Sequence, residues 1–411
     1  MRPSPRSLVA LDGLNLFLAD VRDGVGPYLG VYLLATQGWK PEAIGAALSA
    51  AGIAGVLAQA PLGMWLDATR MKRALLALAV VLISLACVVM AIWPIFTVVI
   101  AAQWVIGISA ALIGPALAGM TLGLVGPKLF ARRQGRNEGW NHTGNVLAAL
   151  LAGAIGHYVS LLGVFYLNAL MGLGALLALA TIRGAEIDHR LACAASSGPI
   201  DRAPVAWRVL LADRRLLAFA VSAVLFHFAN AAMLPLAGQM LGTWRPEQVA
   251  LWMSACIVTA QLVMIPVAVI GGRLAERLGR KPVFLVAFAV LPLRGLLYVL
   301  ADEPWMVVAI QVLDGVGAGL FGVLAVVMLA DLTRGTGRFN AVQGALGSMI
   351  GLGAALSNLL AGFVVGSFGY AGAFIFLAFI AFIAMLAFGF LVEESQDTRQ
   401  REAQMIEVPT S

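Results

Sequence analysis

Charged side chains are scarce in this sequence. Only 12% of its 411 residues are Asp, Glu, Lys or Arg, whereas 61% are hydrophobic. Soluble domains are closer to one-quarter charged and one-half apolar. So few charges could not cover the apolar surface in water, which excludes a soluble globular protein. Because about 20 apolar residues span the hydrocarbon core of a bilayer, the sequence predicts an integral membrane protein.

Several chemical signatures are also missing from the sequence. The three cysteines, Cys87, Cys193 and Cys256, have neither metal-ligand spacing nor a disulfide pattern. No Gly-x-x-x-x-Gly-Lys-Ser/Thr phosphate loop occurs, which argues against ATP-driven transport. The sequence also lacks a His/Glu metal pattern and a Ser/His/Asp set. We therefore expect no enzyme, no cofactor, no metal site and no nucleic-acid partner.

Apolar runs interrupted by charge, proline or glycine predict an all-α protein with twelve transmembrane helices. The only long hydrophilic stretch inside the chain divides them into two groups of six. We predict a first six-helix bundle over 1–183, a cytoplasmic linker over 184–214, a second bundle over 215–393 and a cytoplasmic tail over 394–411. The predicted spans are 9–36, 42–66, 74–93, 96–124, 138–160 and 164–183, then 215–240, 248–272, 282–301, 304–330, 339–366 and 371–392.

The placement of basic residues predicts the orientation. With both termini in the cytoplasm, 23 of the 27 Lys and Arg residues lie in cytoplasmic segments or at their edges. Lys40 and Arg245 fall on the other side, and Arg22 and Arg294 fall within spans. This bias follows the positive-inside rule. We therefore expect a multi-pass protein of the inner (plasma) membrane with cytoplasmic termini. We also expect a monomer.

The two halves resemble each other at an offset of 208 to 209 residues. The matched pairs include Pro27 and Pro235, Gln103 and Gln311, Gly107 and Gly315, and Gly114 and Gly322. Gln and Pro are rare within spans, which weakens chance matching as an explanation. Two parallel six-helix repeats with a site between them form a known transporter architecture.

Two loops carry a family signature. Residues 63–73, after the second predicted helix, read GMWLDATRMKR, and residues 272–281, after the eighth, read GRLAERLGRK. Both resemble the Gly-x-x-x-Asp-Arg-x-Gly-Arg-Lys loop of the major facilitator superfamily. The second copy is nearly complete, with Glu276 replacing Asp, whereas the first departs from the motif after Asp67. With the repeat and the helix count, the resemblance covers essentially the whole chain and leaves the substrate open.

The resemblance implies a cytoplasmic gate. In the superfamily, the loop acid accepts hydrogen bonds from the N-terminus of a helix in the other half. Asp67 would then meet residues 338–341, and Glu276 would meet residues 137–141. A second interpretation is that the loops are only solvated basic anchors.

The glycines of both loops are expected to allow close helix approach, and Lys72, Arg73, Arg280 and Lys281 are expected to be solvated anchors. The candidate gate comprises Gly63, Asp67, Arg70, Lys72, Glu138, Asn141, His142, Gly272, Glu276, Arg277, Gly279, Arg280 and Lys281.

Strongly polar residues are distributed unevenly among the spans. Away from the span ends, helices 3, 6, 9 and 12 carry only Asn168 and Arg294, and all others lie on the remaining eight helices. In the superfamily those eight line a central cavity, so the resemblance implies a substrate and proton site there. The candidate residues are Asp20, Arg22, Asp23, Tyr28, Gln59, Gln103, Asn145, His227, Asn230, Gln261, Gln311 and Gln343.

Ionisable groups in helix 1 are the strongest candidates, because such groups are costly in a membrane. Asp20 shares a face with Gly24 and Pro27, which permit a bend. One interpretation is that Asp20 binds a proton or a cationic substrate while Arg22 holds Asp23. The other is a buried ion network that only locks helix 1. His227 likewise either binds a proton or stays neutral and hydrogen-bonded.

Arg294 and Asp314 are predicted to pair. Each lies eight to ten positions from the short turn at 302–304, so their depths in the membrane match. A charge pair is cheaper to bury than a lone charge. We therefore predict a mostly structural salt bridge.

The predicted function is secondary transport of a small organic solute by alternating access. Proton coupling stays open, because Gln103 stands where many proton-coupled members of the superfamily carry arginine, and helix 5 lacks the antiporter Gly-Pro motif. The alternative is a membrane receptor or accessory protein that keeps the fold without transport. Substrate, direction and coupling ion are not predicted.

Overall fold

The computed structural model is built from helices over its described residues, 3–23, 25–189, 213–333 and 339–395. The first half contains α1 (Pro5–Asp23), α2 (Gly26–Ala35), α3 (Pro41–Ala68), α4 (Lys72–Ile92), α5 (Phe96–Val125), α6 (Pro127–Tyr158) and α7 (Gly163–Thr181). The second half contains α8 (Arg214–Ala231), α9 (Met233–Trp244), α10 (Val249–Leu278), α11 (Arg280–Leu300), α12 (Pro304–Leu332) and α13 (Phe339–Leu391). Short 3-10 turns lie at Gly184–Glu186 and Pro246–Gln248.

The prediction of twelve crossings is confirmed. Within the described residues, 9 helices are long and apolar enough to cross a membrane, and one of these is the 50-residue stretch Val342–Leu391. At 1.5 Å per residue that stretch is about 75 Å long, more than twice the hydrocarbon thickness. It turns at Gly369, whose φ of 71° is a conformation that glycine adopts readily, and so supplies two crossings. The interrupted pair α1–α2 and the polar helix α6 complete the twelve.

The sequence repeat is visible in the helix bounds. Lys72–Ile92 and Arg280–Leu300 begin and end 208 residues apart, and Pro41 and Val249 begin their helices at the same offset. The first crossing of each half is also broken at matching places, between α1 and α2 and between α8 and α9. The two halves are therefore pseudo-symmetric six-helix bundles.

Proline and a carboxylate fix several helix starts. Pro41, Pro127 and Pro304 stand in the first turn of α3, α6 and α12, where a missing N–H costs nothing. The side chain of Asp213 accepts hydrogen bonds from Arg215 N and Leu216 N, and so caps α8. These local signals set where each crossing begins.

The outer surface of several helices is apolar. Leu85 on α4, Leu170 on α7 and Leu300 on α11 are 56%, 63% and 69% exposed. Leucines with this exposure suit contact with lipid rather than water. These helices correspond to predicted spans 3, 6 and 9.

The described contacts divide the chain into two compact units. One comprises Met1–Pro199, Gly238–Ala255 and Asn358–Phe363, and the other comprises Ile200–Ala237, Cys256–Ser357 and Val364–Ser411. Inside the first unit, the N-terminal part of α10 touches α6, where Ser254 Oγ donates to Ala149 O at 2.6 Å. The predicted boundaries at 184–214 and 394–411 stay predictions.

Candidate functional site

Asp20 lies buried in the first bundle. It is 4% exposed, and its Oδ2 has no hydrogen-bond partner among the described residues. Asn168 on α7 is 1% exposed and donates from Nδ2 to the backbone oxygen of Asp20 at 2.8 Å. A buried carboxyl oxygen without a donor is costly while it is charged. The position therefore suits a group that gains and loses a proton.

A cavity of about 210 Å³ lies beside this residue. It is lined by α1–α5 and α7, with Arg22, Gln103 and Asn168 as its polar side chains and apolar side chains over most of the rest. Arg22 and Gly26, both exposed, form its rim at the break between α1 and α2. Gln103 is held by a 3.2 Å hydrogen bond from Nε2 to Ala47 O. The predicted pairing of Arg22 with Asp23 lies outside the described side chains.

The matching part of the second bundle holds a polar network. Arg294 is 1% exposed, and its Nη1 lies 2.6 Å from Asp314 Oδ1 and 2.5 Å from Asn230 Oδ1. Tyr298 OH accepts hydrogen bonds from Arg294 Nε and Nη2, and Gln311 Nε2 donates to the same oxygen at 2.6 Å. The ion pair expected from matching depth is present, and its structural role stays a prediction.

The remaining cavity candidates lie in different surroundings. Tyr28 is 2% exposed. His227 Nδ1 lies 3.1 Å from Ala223 O, and its ring meets the Phe321 ring edge-to-face at 4.4 Å. These contacts fit the neutral, hydrogen-bonded alternative for His227. The partly or fully exposed candidates are Gln59, Asn145, Gln261 and Gln343.

The signature loops differ from expectation in two respects. A Cβ on Gly63 would meet no described atom within 4 Å, and one on Gly272 would make only ordinary contact with Val323 at 3.7 Å. The prediction of close helix approach is therefore wrong for Gly272, and for Gly63 it stays a prediction, because residues 334–338 lie outside the described part. Close approach occurs next to Gly272 instead, where a Cβ on Gly271 would overlap Leu320.

The prediction of solvated anchors is also wrong for two basic residues. Lys72 is 3% exposed and donates to Leu66 O and Thr69 O, two carbonyls at the end of α3. Arg280 Nε lies 3.0 Å from Asp331 Oδ2 on α12. Both side chains therefore hold helix ends together.

The predicted gate contacts are only partly described. The side chain of Asp67 and residues 334–338 lie outside the described part, and the meeting of Glu276 with residues 137–141 stays a prediction. Most of the other gate candidates are described, and they differ in exposure. Arg70, Glu138, Glu276 and Arg277 are exposed, and Asn141, His142 and Lys281 are partly exposed. Glu138 Oε1 accepts from Gln134 Nε2 at 3.2 Å. Gly279 has a φ of 102° and precedes α11.

The sequence does not predict an ion cluster that surrounds the buried carboxylate of Asp12. Asp12 on α1 is bonded by Arg133 Nη2 at 2.7 Å and by Arg136 Nη2 at 2.6 Å, both from α6. Arg133 Nε also reaches Asn137 Oδ1 at 2.9 Å, and Asn137 donates to Thr121 on α5. The i, i+3 spacing of the two arginines was a usable signal. It could not identify an acid more than 120 residues away.

These features define a class: a membrane transporter built from two six-helix bundles. The chain matches the sequence profile of the Major Facilitator Superfamily over residues 12–257 and 220–411. It is 45% identical over 399 residues to uncharacterized MFS-type transporters of two Mycobacterium tuberculosis strains, covering 97% of this chain and 96% of theirs. The protein therefore belongs to the Major Facilitator Superfamily and is a secondary transporter of a small molecule, not an enzyme.

Proteins of lower sequence identity are similar to this chain either over part of its sequence or in their fold. The multidrug transporter protein MdtP of Bacillus subtilis is 24% identical over 179 residues, 44% of this chain and 32% of its own. Solved structures show the same fold. A point mutant of the nucleoside transporter NupG has a TM-score of 0.79 at 15% identity, covering 94% of this chain and 100% of NupG. The D-xylose-proton symporter has a TM-score of 0.72 at 15% identity, covering 95% and 98%.

Proposed function

We propose that the protein couples the movement of a small, uncharged organic solute to a proton carried by Asp20. The single observation that supports this most is the burial of the Asp20 carboxyl, one oxygen of which has no donor among the described residues. Such a carboxyl can be buried as a neutral acid at much lower cost than as an anion. A carrier must also release its proton, and the adjoining break between α1 and α2 gives the helix freedom to change the surroundings of Asp20.

The surroundings of Asp20 favour a proton over an organic cation. Among the described residues, the lining of the neighbouring cavity includes Arg22 but no carboxylate that would attract a cationic solute. Cys87 on α4 lines the same cavity, and Asn168 supplies only neutral dipoles. The fold-related D-xylose-proton symporter is consistent with proton coupling on this fold, and the nucleoside transporter is consistent with an uncharged solute.

The orientation of the protein in the membrane is inferred from the placement of its basic residues. We propose that both termini face the cytoplasm of the inner membrane, because the Lys and Arg bias follows the positive-inside rule. We also propose that one chain suffices for transport, since each monomer carries both bundles. Reporter fusions to residues 190–212 and 396–411 should report a cytoplasmic location.

The test uses purified protein in liposomes. A panel of nucleosides, D-xylose and single-ring heterocycles is assayed for counterflow and for uptake driven by an imposed pH gradient. Asp20→Asn should keep counterflow but lose pH-driven accumulation, because the amide cannot carry a proton. Asp302→Asn, which changes an exposed acid in the outer turn, serves as the control. Undiminished pH-driven accumulation by Asp20→Asn would contradict the proposal.

A further inference from the structure

The two bundles can be compared position by position. The offset of 208 residues pairs Gln103 with Gln311, and it also relates the bounds of α4 and α11. At this offset, Arg294 corresponds to Ala86, which precedes Cys87 on α4. A long cationic side chain in one bundle is therefore replaced by a methyl group in the other.

This replacement changes how the space is filled. In the second bundle, Arg294 reaches Asn230 and Asp314. Their counterparts in the first bundle are Arg22 and Ile106, and both line the 210 Å³ cavity. The space that a guanidinium closes in the second bundle is thus open in the first. The two bundles therefore differ in this space, although the bounds of their helices match.

One wall of the open cavity carries an unsatisfied acceptor. Asn168 lines the cavity at 1% exposure, and its Oδ1 accepts no hydrogen bond within the described part of the chain. Its amide orientation is fixed, because Nδ2 already donates to Asp20 O. A buried acceptor without a donor destabilises the folded protein. A bound molecule that supplies an N–H or O–H group would remove this cost.

We infer that this cavity binds an uncharged, single-ring organic molecule through a hydrogen bond from its N–H or O–H group to Asn168 Oδ1. The size supports one ring, since a cavity of about 150 Å³ can hold benzene and this cavity has about 210 Å³. Its mainly apolar lining suits the faces of a ring. The inference rests on the proposed transport function and names the class of solute and the bundle that binds it.

The two ligands that test this inference share one ring and differ in whether its nitrogens carry a hydrogen or a methyl group. Uracil carries two N–H groups, and 1,3-dimethyluracil carries none. Equilibrium binding of both is measured on the purified full-length protein, with nicotinamide and N,N-dimethylnicotinamide as a second pair. The donor-bearing member should bind about tenfold more tightly than its methylated partner. In Asn168→Leu that preference should disappear, because the acceptor is gone.

A space-filling variant covers the case in which Asn168→Leu does not fold. Ala51 lines the cavity, and its repeat counterpart is Thr259 on α10. Ala51→Leu should weaken binding about tenfold by occupying the cavity, whereas Thr259→Leu should bind like the parent. Ala51→Leu leaves the Asn168 side chain unchanged and so isolates the effect of volume.

Three outcomes overturn the inference: equal binding of methylated and unmethylated compounds, parent-like binding by Ala51→Leu, or a cavity that holds ordered water only. Each is distinguishable from failure of the proposed function. If the parent still accumulates another solute in a proton-dependent manner and Asp20→Asn does not, the transport proposal stands and only the cavity assignment fails. If ring compounds bind as expected but no solute moves with protons, only the coupling proposal fails.

Discussion

Arg294 Nη1 lies 2.6 Å from Asp314 Oδ1, joining α11 and α12 inside the second bundle. Removing one partner of a buried pair leaves an uncompensated charge, which costs about 3–5 kcal/mol. We expect Arg294→Asp and Asp314→Arg each to abolish expression of folded protein. The double exchange should restore part of that expression, as measured by fluorescence-detected size exclusion. Recovery should be incomplete, because Tyr298 and Asn230 are positioned for a guanidinium on α11.

The control for the charge exchange is the exposed Glu303, at which reversal to Arg should leave expression unchanged. An exchanged double variant that expresses no better than either single variant would argue against the pair as a structural element.

Two glycines of α5 are expected to respond oppositely to alanine. A Cβ on Gly107 would overlap Ala51 O on α3, whereas a Cβ on Gly114 would meet no described atom within 4 Å. We expect Gly107→Ala to destabilise the protein by about 1–3 kcal/mol through overpacking. Gly114→Ala should be neutral or stabilising by up to about 1 kcal/mol, because alanine favours the helix. Thermal unfolding in detergent measures both, and equal destabilisation would contradict this account.

The repeat partners of these glycines behave in the same way. A Cβ on Gly315 would lie 2.7 Å from Ala260 O, and one on Gly322 would meet no described atom within 4 Å. The sequence predicted all four positions as matched pairs, but spacing alone could not separate the pair that touches a backbone from the pair that does not. That distinction depends on where α3 crosses α5 and where α10 crosses α12, which only tertiary packing determines.

The sequence predicts the site only in part: it identifies some of the residues but not most of their contacts. Charge placement and matching depth led to Arg294 and Asp314, because burial of an ion in lipid leaves few alternatives. Asn168 is an exception among the polar-poor helices of the sequence, but its bond to the Asp20 backbone depends on a contact across 148 residues. Asp12 lies near the end of the predicted span 9–36, where an acid is normally solvated, so the sequence does not predict its burial. Its burial follows only once α6 places Arg133 and Arg136 against α1.

Glu394 is expected to stabilise the start of α11. Its Oε1 accepts a hydrogen bond from Arg280 N and its Oε2 accepts one from Lys281 N, each at 3.0 Å. A carboxylate at free N–H groups combines a cap with the helix dipole. Glu394→Ala should therefore lower the free energy of unfolding by about 1–2 kcal/mol.

The adjacent Glu393 provides the matched control for Glu394. Its side chain is 73% exposed and pairs with Arg215 at 3.3 Å. Exposed pairs contribute about 0–1 kcal/mol, so Glu393→Ala should have a clearly smaller effect in the same unfolding assay. A larger loss from Glu393→Ala than from Glu394→Ala would refute the capping role.

Glu186 is expected to make stability depend on pH at the start of the linker. Ser4 N donates to Glu186 Oε2 at 2.9 Å and Ser4 Oγ donates to the same atom at 3.0 Å. The backbone N–H of Ser4 contributes most to holding the pKa of Glu186 below its usual value of 4.5, and the charge of Arg183 adds to it. The folded protein therefore binds this proton more weakly than the unfolded chain.

The sign of the pH effect follows from this difference. The stabilisation by Glu186 should be fully present above about pH 5 and should be lost as pH falls through the folded pKa, below 4.5. The measurement compares melting temperatures of the parent and Glu186→Gln from pH 7 to pH 3.5. The parent should melt higher at pH 7, and the gap should narrow towards pH 3.5, where the glutamate becomes increasingly protonated. A gap of constant size across that range would mean that Glu186 stabilises its contact with Ser4 by its shape and not by its charge.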